Sequence, residues 1–448
     1  MPRVLNRPPR KVCLASRAAK ITMRRNTRVF LPSRCAHGGR LSIARPNEMK
    51  ARRIADFVLE NSILLIAGTL GGLAWANLSP GTYEWFHGIR LYAPGATPPE
   101  ASASGLTLPF FVNDILMAFF FGLAGKEVWE SLLPGGQLRD VRRAPLPVVS
   151  ALGGMMGPAL IYSTGALLLG RFAAIGRGWA IPCATDVAFS YMIARLVFGR
   201  RHPATPFLLL LAIADDAFGL IVIALFYPQK AFQPVWLLLA VAAVLLGFSM
   251  RRLRVKSFWW YIAVPGALSW SGFALSGIHP ALGLLPVIPT LPHARTADAV
   301  MHWGPTGGKD ALERFEGFWK KPVEVILALF GLVNAGVALS AAGATTYLVL
   351  TGLIFGKPAG ITLTAAFCVA FLGLKLPKGL LWKELFTLGC AAGIGFTVAL
   401  FVATVAFPRG AVQDASKMGA LASCIAAPIA FAVGKLMGVR RLTEGHGG

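Results

Sequence analysis

Charged side chains are scarce in this chain. Asp, Glu, Lys and Arg make up 14% of its 448 residues, against about 25% in a soluble protein. Acids are scarcer than bases, 20 against 44, and residues 1–47 hold no Asp or Glu. So thin a charge content excludes a set of water-soluble domains. The six cysteines (Cys13, Cys35, Cys183, Cys368, Cys390 and Cys424) form no CxxC pair and no metal-type spacing. That excludes a disulfide framework and a cysteine metal site. A phosphate-cradling motif is also missing; the Gly-rich WGPTGGKD stretch at 303–310 lacks its pattern.

What the chain has instead is apolar surface, 55% of residues, with a mean hydropathy of +0.61. It reads as an all-α polytopic membrane protein whose partner is the lipid bilayer. Apolar spans of about 20 residues, the length that crosses a bilayer as a helix, can be marked near 57–78, 109–126, 144–168, 178–199, 205–227 and 234–250. Shorter or longer ones follow at 257–275, 278–290, 323–341, 345–373, 384–407 and 416–436, for about 12 transmembrane helices.

Loop charge supports the count. With the N-terminus inside, basic clusters fall in the inside loops at 139–143, 195–201, 251–256, 295–321, 375–383 and 435–441. The outside loops carry only Arg90, Arg171, Arg177, Lys230, Arg409 and Lys417. This is the positive-inside pattern. It places both termini in the cytoplasm and accounts for the net charge of +24 with no nucleic-acid partner. Residues 1–53 read as a basic, disordered extension. Met49, just ahead of the first span, is an alternative start. Residues 54–437 read as one transmembrane domain, with 438–448 a short tail. Loop 79–108 reads as a small outside cap.

The ionisable residues inside the spans are Asp114, Lys126, Glu127, Asp186, Asp215, Asp216, Glu324 and Lys357. Such groups are functional by default, since a carboxylate at the bilayer centre costs about 2.5–3.5 kcal/mol. Some have bland alternatives. Asp114 can be a helix N-cap, Lys126 and Glu127 can snorkel to the interface, and Glu324 can form an interfacial ion pair with Lys320 or Lys321. Asp186, Asp215, Asp216 and Lys357 remain as the deep set. Adjacent residues on a helix point about 100° apart, so Asp215 and Asp216 should meet different partners. Lys357 is the only deep cation and suits one of them; the other can face an aqueous cavity. A pair of helix-locking salt bridges with no transport role is the structural alternative.

Pro182 should break its helix just before Thr185 and Asp186, freeing carbonyls to coordinate a cation. Gly389, Gly393 and Gly395 mark a second broken helix. These are spans 4 and 11, at matching places in two triplets that run in opposite senses, an inverted repeat.

Seven runs then carry a resemblance: FVNDILMAFFFGLAGKEV (111–128), GWAIPCATDVAF (178–189), LAIADDAFGLIVIALFY (211–227), SGIHPALGL (276–284), NAGV (334–337), FGKPAGI (355–361) and GIGFTVALF (393–401). In this order, over about 57–437, they resemble the NhaA-type sodium/proton antiporters of bacteria. That family is itself a known case of inverted repeats with broken helices around a midplane site. The resemblance implies that Asp215 and Asp216 carry Na+ and protons, with Asp216 the more direct cation ligand and Asp215 paired with Lys357. It implies that Thr185 and Asp186 support the unwound helix and that Asp186 balances facing helix termini. It links Glu127 and His279 to pH response, although a lone histidine there also reads as a packing residue. The sequence departs from the family at Lys126, at Trp129 and Glu130 where a basic residue is expected, and at Ala328 in place of a proline.

The expected function is therefore secondary, electrogenic antiport of Na+ or Li+ against H+ in a bacterial inner membrane, serving pH and sodium homeostasis, with no resident cofactor and a homodimer as its assembly. Two rivals are weighed. An intramembrane aspartyl protease also uses two aspartates, but its Gly-x-Gly-Asp is absent and Lys357 has no role in its chemistry. A proton-coupled solute carrier needs more polar and aromatic groups at the midplane.

Overall fold

The computed structural model describes residues 63–92, 106–140, 144–199, 201–293, 310–439 and 441. The N-terminal extension, most of the WGPTGGKD loop and nearly all of the C-terminal tail lie outside the described residues. The fold is helical apart from a short antiparallel pair, β1 (Arg90–Tyr92) and β2 (Leu106–Thr107). It begins with α1 (Ile63–Leu78), within the first expected span, and α2 (Pro80–His87), which forms part of the expected cap. Tyr83 on α2 donates from its hydroxyl to the carbonyls of Leu332 and Val333, tying this cap down.

Among the described residues, six helices are long and apolar enough to cross a membrane: α3 (Leu108–Leu132), α4 (Pro145–Leu168), α7 (Ala204–Phe226), α8 (Pro234–Arg252), α12 (Ala344–Phe371) and α15 (Ala411–Leu436). Between them lie two bent pairs. α5 (Phe172–Cys183) meets α6 (Val187–Phe198) at 51°, and α13 (Trp382–Ala392) meets α14 (Phe396–Ala406) at 52°. Counting each pair as one span gives eight. The other four expected spans are shorter or less apolar. α1 is described only from Ile63, and residues 258–276 form α9, which contains a widened π-turn at Ile262–Gly266. The 278–290 span is not a span-length helix. α10 (Pro280–Thr290) is built of 3-10 turns, because Pro280, Pro286 and Pro289 have no amide to donate. α11 (Ala311–Asn334) carries Lys320, Lys321 and Glu324.

Small residues set the closest helix approach. α4 and α12 meet through Gly153 and Gly157 on one side and Gly356 and Gly360 on the other. A Cβ at Gly360 would strike the Gly153 carbonyl, and one at Gly157 the Gly356 carbonyl. Without a hydrophobic effect between helices in lipid, such backbone contact is what brings them together. Its result is local to the site. The π-turn Gly352–Gly356 absorbs the missing amide of Pro358 and abuts Pro182. Lys357 follows directly and is fully buried.

Candidate functional site

Asp215 and Asp216 sit mid-way along α7 and part as their spacing predicts. Asp215 turns toward α12, where its Oδ2 accepts from Lys357 Nζ at 3.1 Å. Both side chains are almost wholly buried, 2% and 0% exposed. A pair this dry is held only while both members are charged and well placed, since removing either leaves an uncompensated ion. Lys357 Nζ also donates to the Cys183 carbonyl at the end of α5, so one cation ties together α7, α12 and the first broken helix. Asp215 Oδ1 is buried with no hydrogen-bond partner among the described residues.

Asp216 lines a partly open cavity of about 530 Å³. Its walls come from α3 (Phe120, Phe121), α4 (Met155), the end of α5 (Cys183, Ala184), α7 and α14 (Val398, Val402). Among the described residues, the two aspartates are the only carboxylates on that wall. Apolar walls exclude water and lower the dielectric, which strengthens the attraction between a carboxylate and a bare cation. Asp215, Glu127, Asp186 and the Lys357 cation all lie within electrostatic reach of Asp216.

The break between α5 and α6 is held by Asp186. Its Oδ1 accepts from the Phe189 amide and caps its own helix, α6. Its Oδ2 accepts from the Thr397 amide at 3.3 Å and the Thr397 hydroxyl at 2.7 Å, capping α14 as well. The Asp186 amide donates to the Ile394 carbonyl in the other break. One carboxylate thus faces the positive ends of two helices, where negative charge is favoured. The Cys183 carbonyl accepts from Lys357 and the Ile394 carbonyl from the Asp186 amide. Thr185 Oγ1, beside the break, is buried with no hydrogen-bond partner among the described residues.

Asp114 and Lys126 do not adopt the bland alternatives they were given. Asp114 is not an N-cap: Thr107 caps α3, and Asp114 lies in the π-turn Phe111–Leu116, its Oδ1 3.7 Å from His279 Nδ1. His279 accepts from the Ala281 amide and packs on Phe401. Lys126 does not snorkel. It is 3% exposed and pairs with Glu130 one turn on, at 2.8 Å, and with Glu316 of α11. Glu127 beside it is exposed. Glu324 Oε2 is buried with no hydrogen-bond partner among the described residues. Lys417, counted as an outside-loop charge, is instead buried on α15. Sequence reasoning missed Thr397, whose hydroxyl completes the Asp186 cap. It also missed His202, which contacts Glu384 at 3.5 Å; the repeated His-Pro-Ala at 202–204 and 279–281 is the signal that could have drawn notice.

Residues 54–434 match the family described as Na+/H+ antiporter 1. The chain belongs to that family. Among curated relatives, this antiporter-family chain is 48% identical over 416 residues to the Na(+)/H(+) antiporter NhaA of Jannaschia sp. (strain CCS1), covering 87% of this chain and 99% of that one. It is 44% identical over 393 residues to the Na(+)/H(+) antiporter NhaA of Geobacter metallireducens, covering 87% of this chain and all of the relative. Among solved structures it is similar to the sodium proton antiporter MjNhaP1 from Methanocaldococcus jannaschii, with a TM-score of 0.49 and 13% identity over 87% of this chain and 99% of that one. As a member of the Na+/H+ antiporter 1 family, the chain is a multi-pass membrane transporter and not an enzyme.

Proposed function

We propose that this antiporter binds Na+ or Li+ at Asp216, with Asp215 Oδ1 beside it, and that protons compete for the same carboxylates. The observation that carries this reading is the division of labour in one helix turn: Asp215 is neutralised by Lys357, while Asp216 faces the cavity with no ion pair among the described residues. A protonated Asp216 cannot hold a cation, and a cation on Asp216 displaces its proton. Competition for one site couples the two flows without both ligands being bound together.

The same geometry supports electrogenic exchange. A cation beside Asp215 competes with Lys357 for that carboxylate, so two charged partners respond to one monovalent cation. Protons enter from outside and the cation leaves outward, in a bacterial inner membrane with both termini cytoplasmic. The proposed architecture is twelve spans with an inverted repeat, assembled as a homodimer. Alternating access is movement of the two broken pairs and α7 against the remaining helices. Thr185 and Asp186 shape the break; Glu127, within electrostatic reach of the pair, and His279 adjust the response to pH.

The test is cation-dependent dequenching of a pH dye in everted vesicles, scanned over Na+, Li+, K+ and pH. Dequenching with Na+ or Li+ is expected from the natural chain and none from Asp216→Asn. Sodium-dependent proton release retained by Asp216→Asn would remove the site from consideration.

A further inference from the structure

Apart from the two aspartates, the residues lining the cavity beside Asp216 are apolar, and two of them carry sulphur. Met155 belongs to α4, and Cys183 is the last residue of α5. Both are buried, 8% and 2% exposed. Exchange at Asp216 uses neither sulphur. Cys183 Sγ lies 3.2 Å from the Met155 carbonyl oxygen and 3.4 Å from that of Trp179. A thiol has one proton, so it donates to one of them at a time and keeps its lone pairs. Asp215 lines the same cavity, and its Oδ1 is buried with no hydrogen-bond partner among the described residues. Lys357 donates to the Cys183 carbonyl and to Asp215 Oδ2. One ammonium therefore holds the cysteine and the carboxylate side by side.

These groups sort cations by softness. Carboxylates suit hard ions such as Na+, whereas thiolate and thioether suit soft ones. Among the described residues no three His, Cys, Asp or Glu side chains come together as metal ligands, so the wall does not fit zinc, which takes four. Ag+ and Cu+ are satisfied by a pair of sulphurs and carry the single charge that the aspartates draw in. The cysteine spacing excluded a site built from cysteines; the second sulphur here is a methionine 28 residues away.

We propose that a soft monovalent cation, Ag+ or Cu+, enters by the Na+ route, binds Cys183 Sγ and Met155 Sδ beside Asp215 Oδ1, and blocks exchange. The inference rests on the antiport reading above. On binding, the S–H bond breaks, its proton leaves through the cavity to water, and a sulphur–metal bond forms; nothing is oxidised or reduced. The block has a mechanical cause. α5 moves with the broken pair while α4 stays with the remaining helices, so an ion joining Cys183 to Met155 ties the two bodies together.

The experiment uses the full chain in proteoliposomes, in chloride-free buffer, with Ag+ as the probe. It reads uptake of radioactive Na+ driven by an imposed pH gradient, each variant referred to its own rate without Ag+. The natural chain should be inhibited, and added Na+ should relieve the block, since both ions use one route. Cys183→Ala should raise the Ag+ concentration for half-inhibition at least about tenfold, the least that loss of an outer-shell partner costs a metal site. Met155→Leu, which keeps the volume, should raise it by a smaller factor. Silver retained by the purified chain should fall by a single ion in Cys183→Ala, a readout that does not need transport. A natural chain indifferent to Ag+, a block that Na+ does not relieve, or a Cys183→Ala curve that overlays the natural one would overturn the proposal. A natural chain that takes up no Na+ before Ag+ is added would instead strike the antiport reading, while the silver count still reads the site.

Discussion

The two broken helix pairs bend by nearly the same angle, 51° and 52°, but opposite means hold them. The break between α5 and α6 is held by a charge. Asp186 caps α6 and α14 together, and its amide reaches the Ile394 carbonyl. The break between α13 and α14 is held by missing side chains. A Cβ at Gly393 would lie 2.8 Å from the Leu353 carbonyl oxygen, and one at Gly395 3.1 Å from that of Ala184. Neither glycine has a positive φ, with values of −68° and −96°, so what these positions require is space. The lesson is that similar bends in the backbone need not have similar chemistry. One break supplies the carboxylate for both, and the other supplies the room in which it works.

That contrast can be broken at its charged side first. Asp186→Ala removes the caps of two helices at once and should lower stability by roughly 3 kcal/mol or more, read as the thermal midpoint in detergent. A midpoint within a degree of the natural chain would mean that Asp186 does not hold the junction. At the small side, Gly393→Val places a methyl against the Leu353 carbonyl and should cost about 1–3 kcal/mol by overpacking. An unchanged midpoint would show that the second break has slack. Thr397→Val removes only the 2.7 Å hydroxyl bond to Asp186 and should cost about 1 kcal/mol. Its effect should vanish in an Asp186→Ala background, because the two act through one contact.

A control lies outside both pairs. His87 on α2 donates from Nε2 to the Val333 carbonyl at 2.7 Å. Burial there, with Arg409 nearby, pushes its pKa down to about 4 from the ordinary 6.5. The folded state thus holds His87 neutral while the unfolded chain protonates it below 6.5. The stability it confers is complete above pH 6.5 and falls between 6.5 and 4. The side chain is only half-buried, so solvent screening should hold the loss to about 1 kcal/mol. His87→Gln should flatten that part of the pH–stability curve; a curve unchanged by the substitution would remove His87 as its source.

How much of this could be read beforehand differs by residue. Asp215, Asp216 and Lys357 stood out because an ion in an apolar run is costly wherever it lies, and the 100° between neighbours on a helix already separated the aspartates. The two breaks showed in Pro182 and in Gly393 and Gly395. What was hidden depended on partners remote in sequence. Lys126 looked free to snorkel because Glu316 lies on another helix. Asp114 looked like a cap because the start of α3 at Thr107 falls ahead of the apolar run. Lys417 passed as a loop charge because α15 begins several residues earlier than hydropathy suggests, at Ala411. Glu384 resembles any acid in a first turn until His202 is placed against it.

The central claim is that one carboxylate, Asp216, is shared by the cation and the proton. Equilibrium binding of radioactive Na+ to the purified chain, measured as a function of pH, tests it most directly. If one proton must leave for each cation bound there, the apparent Kd should rise about tenfold for each unit of acidification on the acid side, and Asp216→Asn should bind no Na+ at any pH. A Kd that does not change with pH, or Na+ still held by Asp216→Asn, would contradict the account.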